Sequence, residues 1–401
     1  MTLNIKIKTW FILLILLLVT QSVSMVFATE IYERKSISMH GEPSLSPGFD
    51  SYQHADINSI QGGTLKLASL GTYDSMNPFI VKGRSAYGIR NYLFESLLSR
   101  NYSEPFSLYG LIAEKIIYPE DRKWIEFHIN KNARFSDGNK INPSDILFSY
   151  NQLREFGRPN HRNYYSRVKK VTITSDSSIK FLINDDDDDR ELILILGLMP
   201  ILPEHIYGNG QFLEANLDVP IGSGPYTVHK IDQGKNITYI KDPNYWAQDL
   251  SINNGMNNFE KISIDYYLDD NSRFEAFKAG LFDLYQVWDP TRWNNLKSEK
   301  KVINGDIHLL NISKKTPAGM LGLAMNTRKE KLSNINIRSA LSSLFDFEWI
   351  NKNLYHGLYN RTVGFYDNSY LSSVNTPISP LEASLMGESA VNMYNTNYAN
   401  F

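Results

Sequence analysis

Residues 124–153 read WIEFHINKNARFSDGNKINPSDILFSYNQL, and their pattern decides what this chain builds. Ile125, Phe127 and Ile129 alternate with Glu126, His128 and Asn130, the period-2 spacing that turns one face of a strand inward and the other to water. Asp137-Gly138 marks a turn, because glycine accepts the positive φ that tight turns require. Asn142 predicts a helix N-cap, with Pro143 at the first position and Asp145 in the first turn. Ile146, Leu147, Tyr150 and Leu153 then give the helix one apolar face. No catalytic group sits at the centre of this strand, turn and helix. The stretch is scaffold.

The same alternation of strands and helices extends outward. Gly62-Gly63 opens a strand, Thr64 to Ser69, which runs into the loop Gly71 to Pro78. A helix is expected around Tyr87 to Leu98, and Val168 to Ile183 reads as two strands about the polar turn Ser175 to Ser178. Ile193 to Pro203 is apolar and proline-bounded, which predicts burial. Gly222-Ser223-Gly224-Pro225-Tyr226 is a turn that feeds a strand, followed by a second strand ending at Tyr245-Trp246. Ile262, Ile264, Tyr266 and Leu268 alternate again, a helix follows at Ser272 to Ala279, and Ile337, Ala340, Leu341, Leu344 and Phe345 trace the apolar face of a later one. Strands and helices without repeats indicate a mixed α/β protein. Residues 29–61 are polar and irregular and are expected to pack late. Residues 380–401 have few charges and no period, which predicts a disordered or poorly packed tail.

Composition narrows the function. With 401 residues, 42% of them hydrophobic, the chain can bury a large core in two or three lobes. The 41 basic and 43 acidic residues nearly balance, so no basic excess exists to neutralise the phosphates of a nucleic acid. Lys6 and Lys8 precede the apolar run Trp10 to Val19, and Val26-Phe27-Ala28 offers small residues for a signal peptidase. We expect cleavage after Ala28. An uncleaved anchor is the alternative, weakened by Gln21, Ser22 and Ser24. The absence of cysteine excludes disulfides, thiolate metal sites and a lipid attached to cysteine, so a non-lipidated protein of the periplasm is expected. Asp185 to Asp189 lacks the glycine and the distant glutamate of a calcium loop and reads as a solvated run. No HExxH, GxSxG or cysteine nucleophile is present, so a hydrolase is the lesser reading, and no cofactor is expected.

Several blocks in order resemble the family 5 extracellular solute-binding proteins of ABC transporters. GGTLKLASLGTYDSMNP (62–78) looks like the family's first strand and cleft loop, and FSDGNKINPSDILFSY (135–150) like its most recognisable block. IGSGPYTV and DPNYW resemble its Gly-x-Gly-Pro-Tyr turn and Tyr-Trp motif, with Ser223 where threonine is usual. NTRKEKLSNINIRSALSSLFDFEWINKNLYHGLYNRT (326–362) resembles its late helix pair. GTYDSMNPFIVKGR, SLYGLIAE, RELILILGLMPILPEH and FDFEWINKNLYHGLY are similar to the YejA-like branch, which handles oligopeptides and peptide-like antibiotics such as microcin C. The resemblance implies a bilobed type II (cluster C-like) periplasmic-binding-protein clamshell with an extra small domain. It implies a signal peptide at 1–28, a discontinuous domain I at 29–79 and 171–285, domain II at 80–170, a partial distal lobe at 286–379, and an aberrant tail at 380–401. Family members continue well past the point where this chain stops, so the resemblance implies an incomplete distal lobe, weak affinity and a tendency to aggregate.

An oligopeptide or peptide-like ligand and ABC permease subunits in the inner membrane are the implied partners of a monomeric receptor. Peptide capture needs main-chain hydrogen bonds, charge complements for the termini and roomy pockets. Thr72 and Tyr73 follow the first strand and either line the cleft or form an ordinary loop. Tyr164 and Tyr165 either cover a peptide side chain or pack in the core. Trp288 and Asp289 fall beside the hinge. Arg328 either pairs with a ligand carboxylate or forms a structural ion pair. A metallophore or glycan is the alternative ligand for such an aromatic-rich cleft.

Overall fold

The computed structural model describes residues 29–314, 316–369, 371–374 and 376–387. The expected signal segment and the tail beyond residue 387 lie outside the described residues. Strands β1 (Ile31–Arg34), β2 (Ser36–Ser38), β3 (Thr64–Leu70), β4 (Leu98–Arg100), β5 (Ser107–Gly110), β6 (Ala113–Pro119), β7 (Trp124–Ile129), β8 (Val168–Ser175), β9 (Ser178–Ile183), β10 (Tyr226–Asp232), β11 (Asn236–Lys241) and β12 (Lys261–Tyr267) form three sheets. A five-stranded antiparallel sheet runs β1-β6-β7-β9-β8, and a three-stranded one β2-β5-β4. The third, β10-β11-β12-β3, is antiparallel except for its last pair, which is parallel.

The stretch 124–153 folds as its pattern predicts. Ile125, Phe127 and Ile129 are buried while Glu126 and His128 are less so. Gly138 takes φ 87°. The helix Pro143–Phe156 buries Ile146, Tyr150 and Leu153 against the five-stranded sheet. There, Phe181 meets Phe127 edge-to-face at 5.9 Å and Tyr150 at 5.6 Å. Each fully buried phenylalanine contributes roughly 1.5–3 kcal/mol by removing apolar surface from water. Asp145 accepts from Asn142 N at 2.9 Å and from Glu204 N at 3.0 Å, so one carboxylate serves the starts of two helices, its own and Glu204–Tyr207.

Four expectations are corrected. The leading segment is not irregular throughout: from it β1 pairs with β6 and β2 with β5, and Ile37 and Tyr52 are buried. The helix expected over 87–98 covers only Ile89–Leu93, because the chain then extends to bridge Ser96 with Pro200 and to form β4. Strand β11 ends at Lys241, and Tyr245-Trp246 lie in the turn beyond it. The last segment includes a helix, Pro380–Met386, capped by Ser379.

Strand pairing also crosses an expected boundary. The expected division at 170/171 falls inside β8, and β9 pairs with β7. The five-stranded sheet therefore continues to Ile183 and takes β1 from the leading segment. Beyond Tyr285 the described chain is helical and irregular. Leu296 is its one buried large apolar residue among those described, while Leu341, Trp349 and Phe365 are 44%, 57% and 84% exposed.

Candidate functional site

In the β3–β12 pair, Leu70 sits opposite Tyr267, so both parallel strands end at the same edge of the sheet. Loops from the carboxyl ends of parallel strands form the crevices where α/β proteins bind ligands. The first such loop, Gly71 to Gly88, folds back on itself. Asp74 N and Ser75 N donate to Arg84 O at 3.0 and 3.2 Å, and Ala86 N donates to Ser75 O at 2.9 Å. Glycine is required at its start and end: Gly71 has φ 84° with the Arg84 guanidinium 2.6 Å from where a Cβ would sit, and Gly88 has φ 90° with the Tyr92 ring at 2.5 Å.

A layer of tyrosines supports this loop. Tyr73 is buried and donates to Asn236 O at 2.7 Å, with its ring 4.9 Å from Tyr266. Burial, with Tyr266 and Asp232 nearby, pushes its hydroxyl up to about 12. Tyr239 donates to Tyr87 O at 2.6 Å, and Tyr87 N donates to Tyr266 Oη at 2.7 Å. Thr72, Asp74, Arg84 and Tyr87 are left on the exposed side. Alternation decides which neighbour faces out: Thr72 does, and Tyr73 does not.

The other expected residues are dispersed. Tyr165 is buried, with its ring stacked on His161 at 5.8 Å, and its carbonyl accepts from Tyr150 Oη at 3.1 Å; Tyr164 is half-buried. Trp288 is 69% exposed and carries Lys314 Nζ 5.2 Å from its ring centroid. Asp289 caps the helix Pro290–Leu296, accepting from Thr291 N at 2.8 Å. Arg328 is exposed, with Nε on Asn326 Oδ1 at 3.2 Å. Of these, Trp288 and Asp289 adjoin a polar knot. Asp270 accepts from Tyr285 Oη at 2.9 Å, from Arg273 Nη2 at 2.6 Å and from Arg292 Nη1 at 2.6 Å. It ties the helix Asp270–Ala279 to the first helix of the later segment. Those donors hold its carboxyl below the usual range against the effect of burial.

A polar hollow of about 600 Å³ lies where Ser313, Asn368 and Ser369 face residues 38–42 and 103–107. Of its two carboxylates, Glu42 and Glu104, Glu104 already accepts from Tyr109 Oη, Ser107 Oγ, Ser44 N and Ser44 Oγ, which leaves it little capacity for another donor. Among the described residues, no group of three or more histidine, aspartate or glutamate side chains could hold a metal ion.

Sequence reasoning passed over Glu95. It is 8% exposed and accepts from Tyr245 Oη and, at 2.9 Å, from Trp246 Nε1. Burial pushes its carboxyl up to about 7, and these donors oppose the rise. An acid inside the apolar run Leu93 to Leu98 is the signal that could have identified it.

Residues 107–399 match the family described as bacterial extracellular solute-binding proteins, family 5 Middle. The chain is 39% identical over 367 residues to a putative binding protein of Brucella suis biovar 1, covering 90% of this chain and 60% of the relative. It is 34% identical over 371 residues to the peptidoglycan-binding protein YepA of Agrobacterium fabrum, covering 89% of this chain and 60% of the relative. It is 32% identical over 370 residues to that organism's probable peptide-binding protein YejA, covering 90% and 59%. The chain thus spans about 60% of the length of these curated relatives. Among solved structures, NikA from Brucella suis with Fe(III)-EDTA superposes with TM-score 0.62 at 17% identity, over 81% of this chain and 64% of that one. The oligopeptide-binding protein AppA of Bacillus subtilis with a nonapeptide superposes with TM-score 0.56 at 21% identity, over 78% and 59%. The fold is that of the type II periplasmic binding proteins.

Proposed function

Because the chain belongs to the bacterial extracellular solute-binding proteins of family 5, we propose that it is the substrate-binding component of an ABC importer. In this reading it captures oligopeptides or peptide-like compounds outside the cytoplasmic membrane and delivers them to a permease, without covalent chemistry. The observation that carries the reading is the shared carboxyl edge of β3 and β12 at Leu70 and Tyr267. From that edge come both the folded-back loop bearing Thr72 and, through the Asp270 knot, the segment bearing Trp288, Asp289 and Arg328. Thr72, Trp288 and Arg328 supply ligand-facing groups, Asp289 sets the helix beside Trp288, and half-buried Tyr164 offers a ring edge beside Tyr165. Tyr73 and Tyr165 act from behind as packing. Names of relatives support the ligand class: one is a probable peptide-binding protein and one a peptidoglycan-binding protein. A peptide-bearing peptidoglycan fragment is accordingly the second reading.

Capture works as a population shift. A solute closes two lobes only to the extent that it binds the closed arrangement better than the open one. Periplasmic location, a cleaved leader, absence of a lipid anchor and a monomeric state complete the proposal. Calorimetry on the purified chain with defined di- to pentapeptides and with a disaccharide-peptide tests it. Saturable heat with peptides supports the first reading, and heat only with the disaccharide-peptide supports the second. Silence toward both, from protein with native circular dichroism, removes the ligand class.

A further inference from the structure

Positive charge gathers beside the tyrosine-floored loop with no acid among the described residues paired to it. Arg90, in the helix Ile89–Leu93, donates through Nη1 to Phe94 O at 2.9 Å, and its guanidinium lies 5.9 Å from the centroid of the Phe79 ring. Arg158 donates through Nε to Pro78 O at 2.9 Å. His161 stacks flat on Tyr165, and its Nδ1 is buried with no hydrogen-bond partner. The arginine ion pairs among the described residues engage Arg34, Arg167, Arg273 and Arg292 instead. The groups that bear on the Arg90 charge are Tyr165 and Tyr102, and those that bear on His161 are the Arg90 and Arg158 guanidinia.

Such an arrangement is costly without a counter-charge. Removing a guanidinium from water without a counter-charge costs several kcal/mol, and a buried polar nitrogen left unpaired costs about 1–3 kcal/mol more. Burial, reinforced by both arginines, holds the His161 ring down to about 4, so near pH 7 it is neutral and can donate from Nδ1. Planar guanidinium forks match the two oxygens of a carboxylate. All three side chains are half-buried.

We propose that Arg90, Arg158 and His161 form a subsite that binds a carboxylate group of the captured solute, with Tyr165 as its stacked backing. This rests on the receptor reading above but names the chemistry of the ligand's end. The test uses the full chain with 15N-labelled histidine, with the His161 ring signal assigned through His161→Gln. Sodium acetate is titrated against sodium chloride at constant ionic strength. A saturable shift of the His161 signal is expected with acetate alone, with apparent affinity reduced at least ten-fold in Arg158→Gln. Where that variant alters the circular dichroism, Arg90→Lys replaces it, since it keeps the charge and removes the fork. Calorimetry then compares tri-alanine with its C-terminal amide: the free acid should bind at least ten-fold tighter, and the variant should remove the difference. No saturable acetate shift, an undiminished shift in the variant, tighter binding of inorganic phosphate than of acetate, or equal affinity for acid and amide each overturns the subsite. An acetate shift with no heat from either peptide keeps the carboxylate site and rejects the peptide reading instead.

Discussion

Glu95 shows how one residue couples this fold to pH. Its carboxyl, enclosed by Tyr245 and Trp246, releases its proton near pH 7 in the fold and near its ordinary value of 4.5 when unfolded. Between those values the folded chain binds more protons than the unfolded one, so stability falls as pH rises. The contribution is fully present below about pH 4.5 and is lost as pH passes 7, a span on the order of 3 kcal/mol. Glu95→Gln should flatten the melting temperature across pH 4.5–8 relative to wild type; an unchanged slope would show that other groups set it. Gly88 makes a second prediction at this scale. Its φ of 90° and the nearby Tyr92 ring mean that Gly88→Ala should lower stability by about 1–3 kcal/mol in urea unfolding. Tyr245 and Trp246 were legible as a motif. Glu95 was not, because its role depends on partners roughly 150 residues away, beyond any local pattern.

Elements differ in how much of their structure is local. The strand and helix of 124–153 were legible because period, cap and turn glycine all lie within the stretch. The helix Ile89–Leu93 was not, because its early end serves a bridge to Pro200 and the burial of Glu95. Likewise Asp185 to Asp189 is not simply a solvated run. Arg167 grips Asp187 and, at 2.9 Å, Asp189, while Lys123 pairs with Asp188 at 2.8 Å and Lys169 with Asp185 at 2.5 Å. Mutual repulsion is offset by cations from neighbouring strands and turns, which the run itself does not encode. Most of these pairs are exposed and worth little, but the Arg167 fork is shielded and bidentate. Arg167→Ala should cost about 1–2 kcal/mol, and the loss should shrink in 1 M salt. Equal loss at both salt concentrations would assign it to packing.

At the scale of the whole molecule, apolar surface is unevenly covered. The core spans all three sheets, whereas Leu321, Leu323, Leu344 and Phe365 in the later segment are each at least 81% exposed. Exposed apolar patches recruit partners or promote association. The purified chain should therefore bind anilinonaphthalene sulfonate, and its monomer should give way to aggregates as concentration rises; a chain silent to the dye and free of aggregates at every concentration would contradict this. The Asp270 knot joins that segment to the sheets, so Arg292→Ala should speed amide exchange in 290–303 while leaving 124–153 protected. The candidate loop was legible in part, since it stood out after β3 and Thr72 was named in it. Asp74, Arg84 and Tyr87 were not, because the fold of the loop decides which side chains reach solvent.

The parallel pairing of β3 with β12 carries a consequence for timing. A chain made or exported from its N-terminus presents Thr64–Leu70 roughly 200 residues before Lys261–Tyr267 can join it. During that interval Leu65 and Leu67, partly buried in the finished sheet, line an unpaired edge. The sheet that frames the candidate site is thus the last to close, and the loop at its edge cannot take shape until the strand beside it arrives.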